Sequence, residues 1–335
     1  MAVVAFTAVA FCVAVVGGLV IGPTPIGTWR VVGSLFAHVG IGHDTLSQTQ
    51  SWIIWQFRAP RMVLGLLAGA MLAVAGGTYQ GVFRNPLADP YLLGVAAGAG
   101  LGATFAIVNV SHGLATPAWT PLLAFVGAMA AVTVTWLIGG RALRSNVATL
   151  ILAGVAVSAL LTSAQTFLQQ QSGVGSITRV YIWLLGSLAS ASWSSVWLVL
   201  PYVLVCIVVC VGAARALDVM SVGEEESRSL GVPVRKVRFV VIAASSLGTA
   251  AIVSAVGLIG FVGIIVPHIV RLLVGTSYRR ILPISVFFGA AFLVFADTIA
   301  RTVIAPSELP LGVVTALVGA PVFVVILSLR RPVPV

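Results

Sequence analysis

From Ala2 to Ile21 the chain carries no charge, and the pattern recurs to its end: apolar blocks of about 20 residues, separated by joints that hold most of the arginines. The blocks do not alternate polar with apolar residues, as barrel strands would. In hydrocarbon each segment must satisfy its own backbone hydrogen bonds, and a continuous apolar block does so as a helix. Only 8% of the residues are charged and 59% are hydrophobic, against roughly a quarter charged in a soluble domain. The expectation is an all-α, polytopic membrane protein forming a single transmembrane domain over residues 1–335.

Cutting at polar and Pro/Gly-rich joints gives ten spans: 2–21, 61–82, 92–110, 118–139, 148–169, 194–214, 239–258, 260–275, 282–301 and 310–329. Phe239 to Gly275 is nearly continuous, yet one helix of that length would run ~55 Å across a core of ~30 Å. Gly257, Gly260 and Gly263 offer the break. The first basic residue is Arg30, so the opening block lacks the basic region of a signal peptide and is taken as the first span.

An even number of spans places both termini on one side. With the termini cytoplasmic, thirteen of the eighteen basic residues lie inside and five (Arg30, Arg58, Arg61, Arg179 and Arg301) outside, the positive-inside bias. Trp52, Trp55, Trp119, Trp183, Trp193 and Trp197 then gather near the outer interface. The formal charge of +10 is scattered between apolar blocks, which is loop spacing and not a nucleic-acid patch. Segments 22–60 and 170–193 are too long for turns and should carry short re-entrant or surface helices. Cys12, Cys206 and Cys210 sit in apolar runs as small buried residues, with no disulfide or metal spacing.

The sole lysine is Lys236, followed by Val237, so the chain has no G-x-x-x-x-G-K-[ST] phosphate loop. An ion gradient usually acts on ionisable groups within spans; midspan carboxylates are missing, since Asp297 falls near a helix end. A gradient-driven carrier with carbonyl-built ion sites is the rival reading. A membrane enzyme lacks an acid-base or ligand cluster.

In the inner loop 215–238, Ser221 followed by Glu224 has the spacing of a capping box. Glu224, Glu225 and Glu226 suit a helix N-terminus, and Gly231 before Val232-Pro233 ends the helix. By pattern alone such a helix reads first as a solvated loop helix, with a docking knob for a partner as the alternative. Outside, Arg58-Ala59-Pro60-Arg61 opens a span with proline in its first turn, and Arg301 follows Asp297 at ion-pair spacing. These arginines could receive acidic groups of a partner; lipid-phosphate contact accounts for the spacing as well. Gly65, Gly69, Gly76 and Gly77, and Gly94, Gly98, Gly100 and Gly102, signal close helix packing. His268 is taken as structural.

Seven strings occur in order: R-A-P-R at 58–61, G-x-x-Q-G-V-F-R-N-P-L-A-D-P-Y-L-L-G-V at 77–95, W-L-L-G-S-L at 183–188, G-E-E-E-S-R-S-L-G at 223–231, G-L-I-G-F-V-G-I-I-V-P-H-I-V-R at 257–271, A-D-T-I-A-R at 296–301, and E-L-P-L-G-V-V-T-A-L-V-G-A-P-V-F at 308–323. Together they resemble the FecCD family of ABC importer permeases, which carry iron-siderophore chelates, haem and vitamin B12. The resemblance implies the type II importer fold of the vitamin B12 permease, with ten transmembrane helices. It implies two ABC ATPase subunits that hold ATP and Mg, while this chain binds no cofactor. It further implies a second permease copy or a paralogue, and an extracytoplasmic binding protein.

By that resemblance, Val219, Ser221, Gly223, Glu224, Glu225, Glu226, Ser227, Leu230 and Gly231 form the ATPase-coupling helix, with Ser227 where the family commonly has alanine. Arg58, Arg61 and Arg301 meet acidic residues of the binding protein. The fifth span and the helix after it form the gate, with Asn146, Val147, Ala148 and Thr149 near its inner end. The implied function is import of a ferric siderophore, with haem or cobalamin as alternatives, across the cytoplasmic membrane of a prokaryote.

Overall fold

The computed structural model describes residues 2–38, 40, 43, 45–111, 113, 116, 118–139 and 147–329. In chain order they form α1 (Ala2–Val20), α2 (Thr28–His38), α3 (Gln48–Trp52), a π-helical segment (Ile53–Arg58), α4 (Ala59–Phe83), a 3-10 turn (Pro90–Leu93), α5 (Val95–Ser111), α6 (Trp119–Gly139), α7 (Val147–Gln170), α8 (Val174–Leu184), α9 (Trp193–Gly212), α10 (Ala214–Val222), α11 (Glu224–Ser229), α12 (Val234–Val256), α13 (Val262–Val274), α14 (Tyr278–Ala300) and α15 (Leu311–Leu329). Each of the ten expected spans is a helix. Among the described residues, seven helical runs are long and apolar enough to cross a membrane; the runs in α5, α13 and α15 are shorter.

The long outer segments hold helices as expected. Segment 22–60 contains α2, α3 and the π-helical segment, and 170–193 contains α8. A capping box does form here: the Ser47 hydroxyl accepts from Gln50 N while the Gln50 side chain accepts from Ser47 N. Of the tryptophans, Trp193 stacks near Trp197 and donates to the Trp55 carbonyl at 2.7 Å. Trp55 in turn stacks on His38.

α4 is the axis of the bundle, buried along most of its length against α9, α12, α13 and α14. Lipid offers no hydrophobic drive between helices, so their approach depends on small residues and close packing. A Cβ at Gly69 would lie 2.1 Å from the Gly289 carbonyl oxygen of α14, and one at Gly76 would lie 1.8 Å from that of Gly263 in α13. Gly98 of α5 and Gly127 of α6 are reciprocal, each 2.2 Å from the other's oxygen by the same construction. Two expectations are corrected. Gly263 does not break the chain but serves the α4 contact, and the break falls at Gly257, which ends α12 at φ +74°, and at Phe261, which opens α13 at φ +69°. Cys206 and Cys210 are buried, but Cys12 is exposed on α1, where the outward face is apolar and suited to lipid.

Non-helical backbone between α8 and α9, between α12 and α13, and before α15 meets inside the bundle, where Leu188 packs at Gly65 of α4. Within a membrane such backbone is tolerated only when buried in protein or lining a cavity. Here the strands of loop satisfy one another: Ser187 N donates to Val256 O (2.8 Å), Leu311 N to Gly186 O (3.0 Å) and Gly312 N to Leu185 O (2.9 Å). The Tyr91 hydroxyl donates to Ile259 O at 3.0 Å.

Leucine at Gly76 is expected to force α4 from α13 and lower stability by ~3 kcal/mol, read as thermal unfolding of the detergent-solubilised protein. Gly212→Ala, with nothing within 4 Å of the added Cβ, should stay within ~0.5 kcal/mol of wild type.

Candidate functional site

Three candidate regions emerge: the loop carrying α10 and α11, an outer arginine cluster, and a recess beside the broken helices.

In the loop, α10 and α11 are separated by Gly223 alone, in extended conformation. The Ser221–Glu224 capping box is corrected. Ser221 lies inside α10 with its hydroxyl donating to Asp218 O at 2.6 Å, and the cap position belongs to Gly223, which has no side chain to offer. Glu224 turns instead to two arginines, accepting from Arg228 at 2.7 Å and from the buried Arg238 of α12 at 3.2 Å. Partial burial raises its pKa, but the bonds and charges of Arg238 and Arg228 outweigh this and hold the carboxyl below its usual range.

The acidic first turn, with Glu224, Glu225 and Glu226, and the stop at Gly231 (φ +78°) stand as expected. Ser227 is fully buried. Its hydroxyl donates to Val219 O at 3.0 Å and to Gly223 O, pinning α11 against α10. This pin replaces the cap as the local organiser. Val222 and Leu230 are 70% and 68% exposed beside exposed Glu225 and Glu226. Both are apolar side chains exposed on an otherwise polar loop.

Arg58, Arg61 and Arg301 come together, but not as free charges. Arg58 is 5% exposed and Arg301 4%. Arg58 donates to the carbonyls of Leu19 and Val20 at 2.9 and 2.8 Å and to Thr24 O at 2.5 Å; Arg301 donates to Gly18 O at 2.6 Å. Both guanidiniums thus fill orphan carbonyls at the C-terminus of α1, where the helix dipole favours a cation. Arg61 makes paired bonds to Asp297, the shortest 2.8 Å, and to Glu308 at 2.8 and 2.9 Å. The Asp297–Arg301 pair expected from spacing is present but longer, at 3.8 Å. The three arginines are thus occupied by internal partners. Arg58, Arg61, Arg301 and Glu308 wall a recess of about 260 Å³ with Thr24 and Phe57.

The third region is a recess of about 540 Å³ formed where the broken helices meet, lined by Tyr91, Leu184, Leu258, Phe261, Val313 and Leu317 among others. Among the described residues no charged side chain lines it, so its wall is apolar and backbone-rich. Of the expected gate, Val147, Ala148 and Thr149 open α7, with Ala148 exposed and Thr149 half-buried; Asn146 lies outside the described residues.

Sequence reasoning missed Asp218, Gln80 and Arg271. Asp218, on α10, accepts from Ser277 Oγ at 2.8 Å and from Tyr278 N, capping α14 from another element. Gln80 and Arg271 bond each other across α4 and α13 at 3.1 Å. A polar residue in an apolar block was the available signal for Gln80; an N-cap supplied from a distant helix leaves none.

The FecCD transport family model matches residues 7–329. The cobalamin import system permease protein BtuC of Halobacterium salinarum is 43% identical over 286 residues, covering 85% of this chain and 75% of its own. The hemin transport system permease protein HmuU of Yersinia pestis is 38% identical over 299 residues, covering 86% and 87%. A solved structure described as an inward-facing conformation of a metal-chelate type ABC transporter superposes with TM-score 0.84 at 28% identity, covering 96% of this chain and 97% of the other.

Asp297→Asn is expected to leave Arg61 and Arg301 with one carboxylate fewer at a buried site and to cost ~3 kcal/mol. Glu308→Gln, at a partly exposed position, should cost under ~1 kcal/mol; thermal unfolding in detergent compares them. Because the Glu224 carboxyl titrates below its usual range, its ion pairs are present above the ordinary carboxylate pKa and lost as pH falls through the folded value. Amide-exchange protection of residues 224–230 should therefore drop on acidification, and Glu224→Gln should show that drop already at neutral pH.

Proposed function

The chain belongs to the FecCD transport family, and on that premise we propose that it carries a ferric siderophore across the cytoplasmic membrane of a prokaryote by alternating access. Its membrane subunit class is that of type II ABC importer permeases, which are not themselves enzymes. The observation that carries the reading is the pairing of a preformed partner surface at α10–α11 with an uncharged recess built from broken helices.

The power enters through two ABC ATPases, which hold ATP and Mg and seat on Val219–Gly231. Val222, Glu225 and Leu230 supply the contact, while Ser227 and Glu224 hold its shape. ATP favours one access state only by binding it more tightly than the other. A second copy of the permease, or a paralogue, faces the recess lined by Leu184, Leu258 and Phe261, so that the pathway runs between two chains. Its apolar wall holds bulky cargo loosely, and an extracytoplasmic binding protein makes the selection. That protein docks over the arginine-walled recess, with Arg61 and Glu308 at its rim. Val147–Thr149 belong to the gate at the inner end of α7. Both termini are cytoplasmic, a reading supported by Arg228, Arg235, Arg238, Arg271, Arg279 and Arg280 flanking the α10–α11 end.

Haem and cobalamin are carried by relatives named for hemin and cobalamin, and a shared wall chemistry fits all three. The uncharged recess and the use of Asp297 in internal ion pairs weigh against an ion-coupled carrier. The test is reconstitution in liposomes with the ATPases and binding protein of the same operon. ATP-dependent uptake of a ferric hydroxamate siderophore is expected. Uptake of haemin or cyanocobalamin instead would reassign the cargo, and solute accumulation by the isolated chain on an ion gradient would defeat the importer reading.

A further inference from the structure

Proline at position 267 lies inside α13. Lacking an N–H, it leaves the carbonyl of Gly263, four residues earlier, without its helical partner. Gln80 of α4 fills the gap: its Nε2 donates to Gly263 O and to Ile264 O, both at 3.3 Å. The orientation of that amide is fixed from the other side, because Arg271 Nη2 donates to Gln80 Oε1 at 3.1 Å and an arginine has only donors to give. The same Nη2 donates to the Tyr278 hydroxyl at 3.2 Å, with the guanidinium carbon 5.6 Å from the ring centroid. Tyr278 N donates to Asp218 of α10, as does Ser277 Oγ. The Tyr278 ring packs on Gly81, one residue from Gln80; a Cβ there would meet it at 3.1 Å.

We infer that Asp218, Tyr278, Arg271 and Gln80 form a relay that carries movement of the α10–α11 loop to the Pro267 gap in α13, and so to Phe261 in the wall of the 540 Å³ recess. The inference rests on the proposed importer function and adds the route by which the docking loop reaches the pathway. Each link joins a different element: α10 to the start of α14, α14 to the end of α13, and α13 to α4, which returns to the start of α13. Elements that are packed and hydrogen-bonded in series transmit displacement as units. α13 is the element suited to respond. It is ~20 Å long at ~1.5 Å per residue, its helical ladder is open at Pro267, and it begins at a non-glycine residue with φ +69°. These four are positioning residues; none of them lines the recess.

Pro267→Ala separates this relay from a purely structural role. Alanine restores an N–H for Gly263 O, so α13 closes its own ladder and no longer depends on Gln80. A structural role predicts a neutral or stabilising change with normal transport. The relay predicts an intact, assembled complex that hydrolyses ATP but moves about tenfold fewer cargo molecules per ATP. Gln80→Glu keeps an acceptor for Arg271, loses the donor to Gly263 O, and should give the same uncoupling. The measurement is the ratio of uptake to ATP hydrolysis in the reconstituted complex, using whichever of a ferric hydroxamate siderophore, haemin or cyanocobalamin the wild-type complex imports.

A normal ratio in Pro267→Ala overturns the relay, whatever Gln80→Glu does. So does a parallel fall in hydrolysis and uptake that leaves the ratio unchanged. Failure of the wild-type complex to import any of the three, or to bind ATPases, falls on the importer reading instead, and a wild-type complex that imports while the variants match it falls on the relay alone.

Discussion

Every peptide group of this chain that enters lipid must find its hydrogen-bond partner within the protein, and the architecture follows from how that demand is met where helices stop. Continuous helices meet it by themselves. The breaks at Gly186, Gly257 and Pro310 meet it jointly, through Ser187 N to Val256 O, and through Leu311 N and Gly312 N to the carbonyls of Gly186 and Leu185. Because each loop completes the others, they assemble as one junction, and the junction leaves an apolar recess at its side. Irregular backbone is thereby concentrated beside that recess.

The same demand explains the outer arginines. α1 has no partner chain segment to receive its last carbonyls, and Arg58 and Arg301 reach them from the π-helical segment and from the end of α14. Three guanidiniums with two carboxylates, Asp297 and Glu308, then share one small region. The two carboxylates offset two of the three positive charges, and the cluster forms a shaped rim with one positive charge in excess.

The fold was legible where a hard length or volume limit left one solution. The apolar blocks became helices because backbone in lipid must bond within its own segment, and 239–275 had to break because one helix would overrun the bilayer. Glycine spacing was legible as packing, since Gly69, Gly76 and Gly98 each touch backbone of a neighbour. Legibility failed where partners are backbone atoms or distant residues. Nothing in the order of residues shows that Ser221 will turn back to Asp218 O, that Ser227 will pin α11 to α10, or that Arg58 will be consumed by α1. At Ser227 the hydroxyl, not the side-chain volume, is what the loop uses. The broken ladder at Pro267 was visible in principle, but its filler lies on α4 and no local pattern names it.

The pin at Ser227 bears on how tightly partners assemble. A loop that folded only on contact would lose backbone freedom at that moment, and the cost would be subtracted from its affinity. Here two carbonyls and the Glu224–Arg238 pair have already fixed the knob in the lone subunit. Recognition is then close to rigid-body docking, with rates governed by encounter and orientation. In the docking role proposed for it, the loop would release and recapture a partner without refolding.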